Sequence, residues 1–243
     1  MQLRILSFLL LLFGNVQTVF SQSAGKALDS ITVLYTSANS RHTVYIENEP
    51  ATANRKALLH FALDAFDSTT LQSNYVAALS DTPERDSHCL PAAQNLHGLA
   101  TEWLPLYQYK KKFYLYEPCD KGTRNRIALR PTMLLHFYMD GPAVELLESV
   151  TKVAARQYKL VTYVCGPEGR DPSLYLVHLL DKTGQLAVWE RVGAPEVDRY
   201  ELRVTPAGAS AFNLIVYACP DHKESEWNGL ETIDFKKLLS AKR

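Results

Sequence analysis

The chain has no excess of charge: 26 basic residues are balanced by 26 acidic ones over 243 positions. Such a balance generates no broad field for nucleic acid or an anionic membrane surface, so neither partner is expected. The signatures of common catalytic folds are missing as well. The sequence contains no G-x-S-x-G elbow, no H-E-x-x-H, no phosphate-binding loop and no G-x-G-x-x-G. It has no C-x-x-C pair of the kind that builds zinc sites. No catalytic residue, metal site or cofactor is therefore assigned.

Long apolar runs are scarce. The clearest spans residues 5–13 and is too short to cross a bilayer, which takes ~20 residues. Arg4 precedes it and Val19-Phe20-Ser21 follows, the pattern of a secretory signal over residues 1–21. No cysteine lies near the cut, which argues against a lipid anchor. The mature chain is expected to be exported, to the periplasm or the extracellular space, without inserting into a membrane.

The four cysteines, Cys89, Cys119, Cys165 and Cys219, all fall after that signal. An even number in an exported chain favours disulfides and leaves three pairings open. Cys165 and Cys219 end similar apolar strands, LVTYVC and LIVYAC. This likeness favours pairing them, which leaves Cys89 with Cys119.

Residues 22–100 read as an α/β segment packed on the rest. Two short β-branched stretches, 31–35 and 43–46, flank a polar turn and suggest a hairpin. From Ala51 the apolar period becomes helical: Leu58, Leu59, Ala62 and Phe66 form one stripe, and Leu71, Tyr75, Ala78 and Leu79 a second. Residues 81–91 are a loop by composition, and a further short helix is expected over 92–103.

Residues 101–243 read as two copies of an antiparallel β-meander. Glu117 matches Glu190, Leu129-Arg130 matches Leu202-Arg203, Tyr138 matches Tyr217, and Leu147-Glu148 matches Leu230-Glu231. Lys110 to Lys112 form a solvated hairpin turn. Residues 126–130 alternate, with Ile127 and Leu129 on one face and the arginines on a face expected to be wet. Residues 133–138 are apolar on both faces, and residues 143–150 suggest a short helix. Tyr200, Leu202 and Val204 lie opposite Glu201 and Arg203. A short helix over residues 224–239 closes the chain. The fold class is mainly β (α+β): an N-terminal hairpin and helices, then repeated antiparallel units forming a barrel or a sandwich.

The most informative chemistry is aromatic. Trp103, Tyr107, Tyr109 and Tyr114 crowd the first meander, and their apolar bodies with polar tips suit a sugar or a small apolar ligand. Cross-strand packing is the simpler account of them, since the matching strand of the second meander carries only Trp189. His136 and His178 sit in apolar strands and read as satisfied core residues. The reading is an exported, non-catalytic β protein that binds a small ligand, a glycan or a protein partner of the envelope. Its rivals are an exported hydrolase using His88, Asp140, Asp221 and His222 on strand-end loops, and a structural accessory component of the cell envelope.

Overall fold

The computed structural model describes residues 31–37, 42–60, 91–119, 125–138, 141–166, 169–219 and 227–240. The signal, the second helical stripe, Cys89, and the loop residues His88, Asp140, Asp221 and His222 lie outside them.

Eight strands close an antiparallel barrel. In chain order they are β3 (Glu102–Pro105), β6 (Arg126–Arg130), β7 (Met133–Tyr138), β8 (Gly141–Ala154), β9 (Gln157–Gly166), β10 (Gly169–Leu179), β11 (Leu186–Val192) and β12 (Tyr200–Val204). Each pairs with the next, and β12 returns to β3 through Arg203↔Pro105 and Val204↔Leu104. This is an up-and-down meander, and its closure removes the free edges. A second sheet of five strands runs in the order β1 (Ile31–Thr36), β2 (Thr43–Glu47), β13 (Leu214–Ala218), β5 (Lys112–Glu117), β4 (Tyr107–Tyr109).

Three apolar layers result. Inside the barrel are Trp103, Ile127, Leu129, Leu134, Leu147, Leu160, Val177 and Trp189. Between barrel and sheet lie Leu104, Leu186, Val188, Leu202, Val204, Leu214 and Val216, joined by Leu58. The outer face of the sheet carries Val44, Ile46, Tyr114, Tyr116, Ile215 and Tyr217.

Helix α1 (Ala53–His60) falls within the first helical stripe. Thr52 caps it by accepting from the Arg55 amide at 3.1 Å. Arg55 itself is buried and donates to the carbonyls of Ala209 and Phe212 at 2.9 and 2.6 Å, tying the helix to the β12–β13 connection.

Several sequence expectations are corrected. The helix expected over 143–150 is part of the 14-residue strand β8. Val144 and Leu146 are buried on one face, Leu147 on the other, and burial on both sides produces an apolar run that resembles a helical stripe. The segment 92–103 is not helical either: His97 and Gly98 take φ of 51° and 78°, which breaks any helix there. Among the described residues at the C-terminus α3 (Phe235–Ser240) alone is helical, and residues 227–234 run over the sheet, bridged to it at Glu231↔Gln108. The short α2 (Glu196–Arg199) joins β11 to β12.

The arginine face of β6 is wet only at Arg130, whose side chain is 30% exposed. Arg126 is 2% exposed, donating to Glu102 at 2.6 Å and to the Leu59 carbonyl at 3.2 Å, because the end of α1 covers it. The two similar stretches also have unlike places: Glu117 lies in β5 of the open sheet and Glu190 in β11 of the barrel, whereas β6 and β12 are both barrel strands. The similarity is one of strand pattern; the two stretches do not form equivalent structural units.

Cys119 is joined to Cys219, with their Cα atoms 5.6 Å apart. This overturns both expected pairings, Cys165 with Cys219 and Cys89 with Cys119. The reason is topological: β5 and β13 are parallel neighbours, so the cysteines just beyond their C-terminal ends meet, whereas Cys165 lies on β9 of the barrel.

The β4–β5 turn places Lys110 and Lys111 at φ 46° and 63°, a left-handed pair that usually selects Asn and Gly. Glu231 holds it, its carboxylate accepting from both lysine amides at 3.0 Å. Lys111→Gly is expected to raise stability by about 0.5–1 kcal/mol by relieving the left-handed penalty. Urea denaturation would show this as a higher midpoint at unchanged slope, and a lower midpoint would refute it.

Candidate functional site

The barrel interior has two chemically different halves. At one end the segment before β3 forms a floor: Leu96, Leu99 and Ala100 pack on the interior cluster. Trp103 Nε1 donates to the Ala100 carbonyl at 2.9 Å and the Tyr158 hydroxyl to the His97 carbonyl at 3.1 Å. Trp103 and Trp189 meet edge-to-face at 5.9 Å above it. This half is a filled core.

Toward the other end the inward positions become polar. Strand alternation dictates which residues these are, since side chains two apart share a face. Leu134 faces in, so His136 does; Leu147 faces in, so Glu145 does; Leu160 brings Thr162, and Val177 brings Tyr175. On β12 the apolar Leu202 and Val204 face the second sheet, which turns Glu201 and Arg203 into the barrel.

Two polar groups result. In the first, Tyr175 donates to Glu145 Oε1 at 2.8 Å, Thr162 donates to Oε2, and His136 Nε2 lies 3.5 Å from Oε1. Burial alone would raise the Glu145 carboxyl, but hydrogen bonds from His136 and Thr162, the His136 charge and the Tyr175 hydroxyl outweigh it and hold the group at about 2. In the second, Arg203 donates to Glu201 Oε2 through Nε at 2.9 Å and Nη2 at 2.6 Å, and to the Asn125 carbonyl and Oδ1 at 3.0 and 3.1 Å. Asn125 in turn donates to Glu201 Oε1 at 2.9 Å. Burial pushes the Glu201 carboxyl up, but the Arg203 charge, hydrogen bonds from Arg203 and Asn125 and the His136 charge hold it below the usual range.

Side-chain exposure grades along this half, from 39% at Glu201 through 12% at Glu145 and 11% at His136 to 0% at Arg203. Solvent therefore reaches the polar groups from the end opposite the floor. Trp189, 2% exposed, stands on the inner wall between Val177 and Glu201, at the boundary of the two halves. Its Nε1 proton is buried with no hydrogen-bond partner, a state that costs about 1–3 kcal/mol.

The aromatic set read from the sequence divides between two places. Trp103 is in the barrel floor. Tyr107, Tyr109 and Tyr114 belong to the outer cluster of the second sheet, where Tyr107 meets Tyr116 at 5.4 Å, Tyr109 meets Tyr114 at 6.2 Å and Trp227 at 5.3 Å. The chain leaves the barrel at Leu106, which separates Trp103 from the tyrosines. Glu145, Thr162, Tyr175 and Trp189, which line the barrel, are not singled out by any sequence motif. The one local signal is a glutamate at an alternating position of an apolar strand, which the helix-like apolar spacing of 143–150 hides.

His178, the other strand histidine, lies on the outer wall. Its Nε2 is 3.3 Å from Glu190, which Arg199 also engages at 2.5 Å. A groove of 430 Å³ lies outside the floor, lined in part by Gly98, Thr101, Glu102, Gln185 and Thr205. Its carboxylate is already engaged, since Arg126 and Arg130 lie 2.6 and 3.7 Å from Glu102. Among the described residues no three of His, Cys, Asp and Glu gather as metal ligands would. No known protein family, curated protein or solved structure matches this chain.

Proposed function

We propose that this is an exported, non-catalytic binding protein that receives a small ligand in the polar half of its barrel. One observation carries the reading: a buried indole N–H without a partner stands beside a wall of ordered polar groups that solvent reaches from one end. Eight-stranded barrels are just wide enough to be filled by side chains or to hold one small molecule. An orphan donor at the boundary is the mark of a place where something else supplies the acceptor. The charged N-terminal leader pattern and the Cys119–Cys219 disulfide support export to an oxidising compartment.

The hydrolase reading on His88, Asp140, Asp221 and His222 rests on residues outside those described, and inside the barrel a second constellation invites the same reading. His136 beside Glu145 resembles a base held by a carboxylate, but the nearby hydroxyls of Thr162 and Tyr175 commit their protons to Glu145. Activation as a nucleophile requires a hydroxyl to give its proton to the base.

The chain should be exported with its own leader and purified without denaturation. On acid unfolding it is expected to release about one small molecule per chain by mass spectrometry. Readdition should alter the emission of the interior tryptophans, Trp103 and Trp189. A protein that releases nothing and whose emission ignores a broad metabolite panel would sink the reading.

A further inference from the structure

We propose that the open sheet pairs with a second copy of the chain, β1 against β1 and antiparallel across a twofold axis. This joint lies on the second sheet and stands independently of ligand binding in the barrel.

The strand edges of the molecule are treated unequally. A free edge presents unpaired backbone N–H and C=O groups that recruit other strands, so proteins cover it, charge it or interrupt it. The barrel is closed and offers no edge; the second sheet ends at β4 on one side and β1 on the other. β4 is three residues long, and the chain's own tail covers it. The Glu231 amide donates to the Gln108 carbonyl at 2.7 Å, and the Gln108 side chain donates to Glu231 at 3.1 Å. Among the described residues β1 has no such cover. Its six residues, ITVLYT, contain neither a charge nor a proline. Ile31, Val33 and Tyr35 are 50%, 58% and 48% exposed, and no other described strand exposes more than one large apolar side chain. A bulge between Val33 and Tyr35 is the only protective device, and it shortens the regular edge without charging it.

Charge and symmetry select a second copy as the partner. An uncharged strand can lie against itself without setting like charges opposite one another, and β-branched and aromatic side chains are the types that stabilise cross-strand pairs. The two ends of the edge differ in sign. Ile31 lies against Glu47, with the exposed Glu49 two residues further on. Thr36 lies against Thr43, and the sequence joining the two strands, residues 37–42, holds one arginine and no acid. Antiparallel pairing therefore sets the acidic end of each copy at the cationic end of the other, whereas a parallel partner would bring the acidic ends together. A twofold joint also consumes the free edge of both copies, so assembly stops at two. One short strand pair makes a small interface, and small interfaces give weak, reversible association.

The test is sedimentation velocity of the full exported chain from about 1 μM to about 1 mM. A monomer should pass to a dimer over this range, with no larger species. Val33→Lys should raise the dissociation constant roughly tenfold or more, since it sets an ammonium of each copy into an apolar joint. Val153→Lys, a like change at an exposed position of β8, should leave it unaltered. Hydrogen exchange on the unmodified chain decides the matter even where a substitution impairs folding: β1 amides should gain protection as concentration rises, while those of β9 stay constant. A monomer throughout the range, open-ended assemblies, or β1 exchange that ignores concentration would overturn the proposal. So would a dimer that Val153→Lys weakens and Val33→Lys does not, or a β1 protected only by a different exported protein.

Discussion

Replacing Glu145 by glutamine is expected to remove a large part of the protein's loss of stability in acid. The carboxyl is held at about 2 in the folded barrel, against an ordinary value of 4.5. A group depressed on folding stabilises the native state above its unfolded value, and that contribution is lost as pH falls toward the folded one. The window therefore runs from about pH 5 down to about pH 2. The depression is worth about 3 kcal/mol, an order-of-magnitude figure for a group this well buried. Urea denaturation at several pH values would measure it as the difference between wild type and Glu145→Gln. That comparison isolates Glu145 from Glu190, Glu201 and Glu231, whose carboxyls are also held low. Parallel stability curves for the two proteins across this window would show that Glu145 is not held as described. The variant should also be less stable near neutrality, since an amide cannot accept from Tyr175, Thr162 and His136 as a carboxylate does.

Reducing the Cys119–Cys219 bond is expected to cost about 2–5 kcal/mol and to loosen the second sheet before the barrel. The cysteines are 100 residues apart in sequence, and a link closing so long a loop removes much of the denatured chain's freedom. Its location explains the local effect. β5 and β13 share only three paired positions, Leu214↔Leu115 to Val216↔Glu117, and the disulfide clamps the end of that short ladder. The barrel strands close on one another without it. Hydrogen exchange on a Cys119→Ser, Cys219→Ser variant should show β5, β13 and β2 losing protection while β8, β9 and β10 retain theirs. Uniform loss across both sheets would mean that the two form one cooperative unit and that the bond does not act locally.

The strands themselves were largely legible in the sequence. The hairpin of β1 and β2, the Lys110–Lys111 turn, the burial of both faces of β7 and the alternation of β6 and β12 depend on neighbours within a few residues. Backbone sterics, side-chain alternation and turn chemistry act at that range. The burial of His136 and its carboxylate partner also agree with an apolar strand's need to satisfy a polar side chain.

The alternation of β12 shows the limit. The sequence determined that Tyr200, Leu202 and Val204 lie opposite Glu201 and Arg203, but only closure of the barrel decided which row faces inward. The polar row went inside because the apolar row covers the second sheet. The same gap explains the disulfide. Likeness of strand ends favoured Cys165 with Cys219, but proximity depends on which strands are neighbours, and that is settled by pairings about a hundred positions apart. The candidate site depends most on tertiary structure. Its residues come from β7, β8, β9, β10, β11 and β12, each contributing one or two inward positions. A period of two specifies each strand locally, whereas the constellation exists only once long-range hydrogen bonding has fixed the register of all eight.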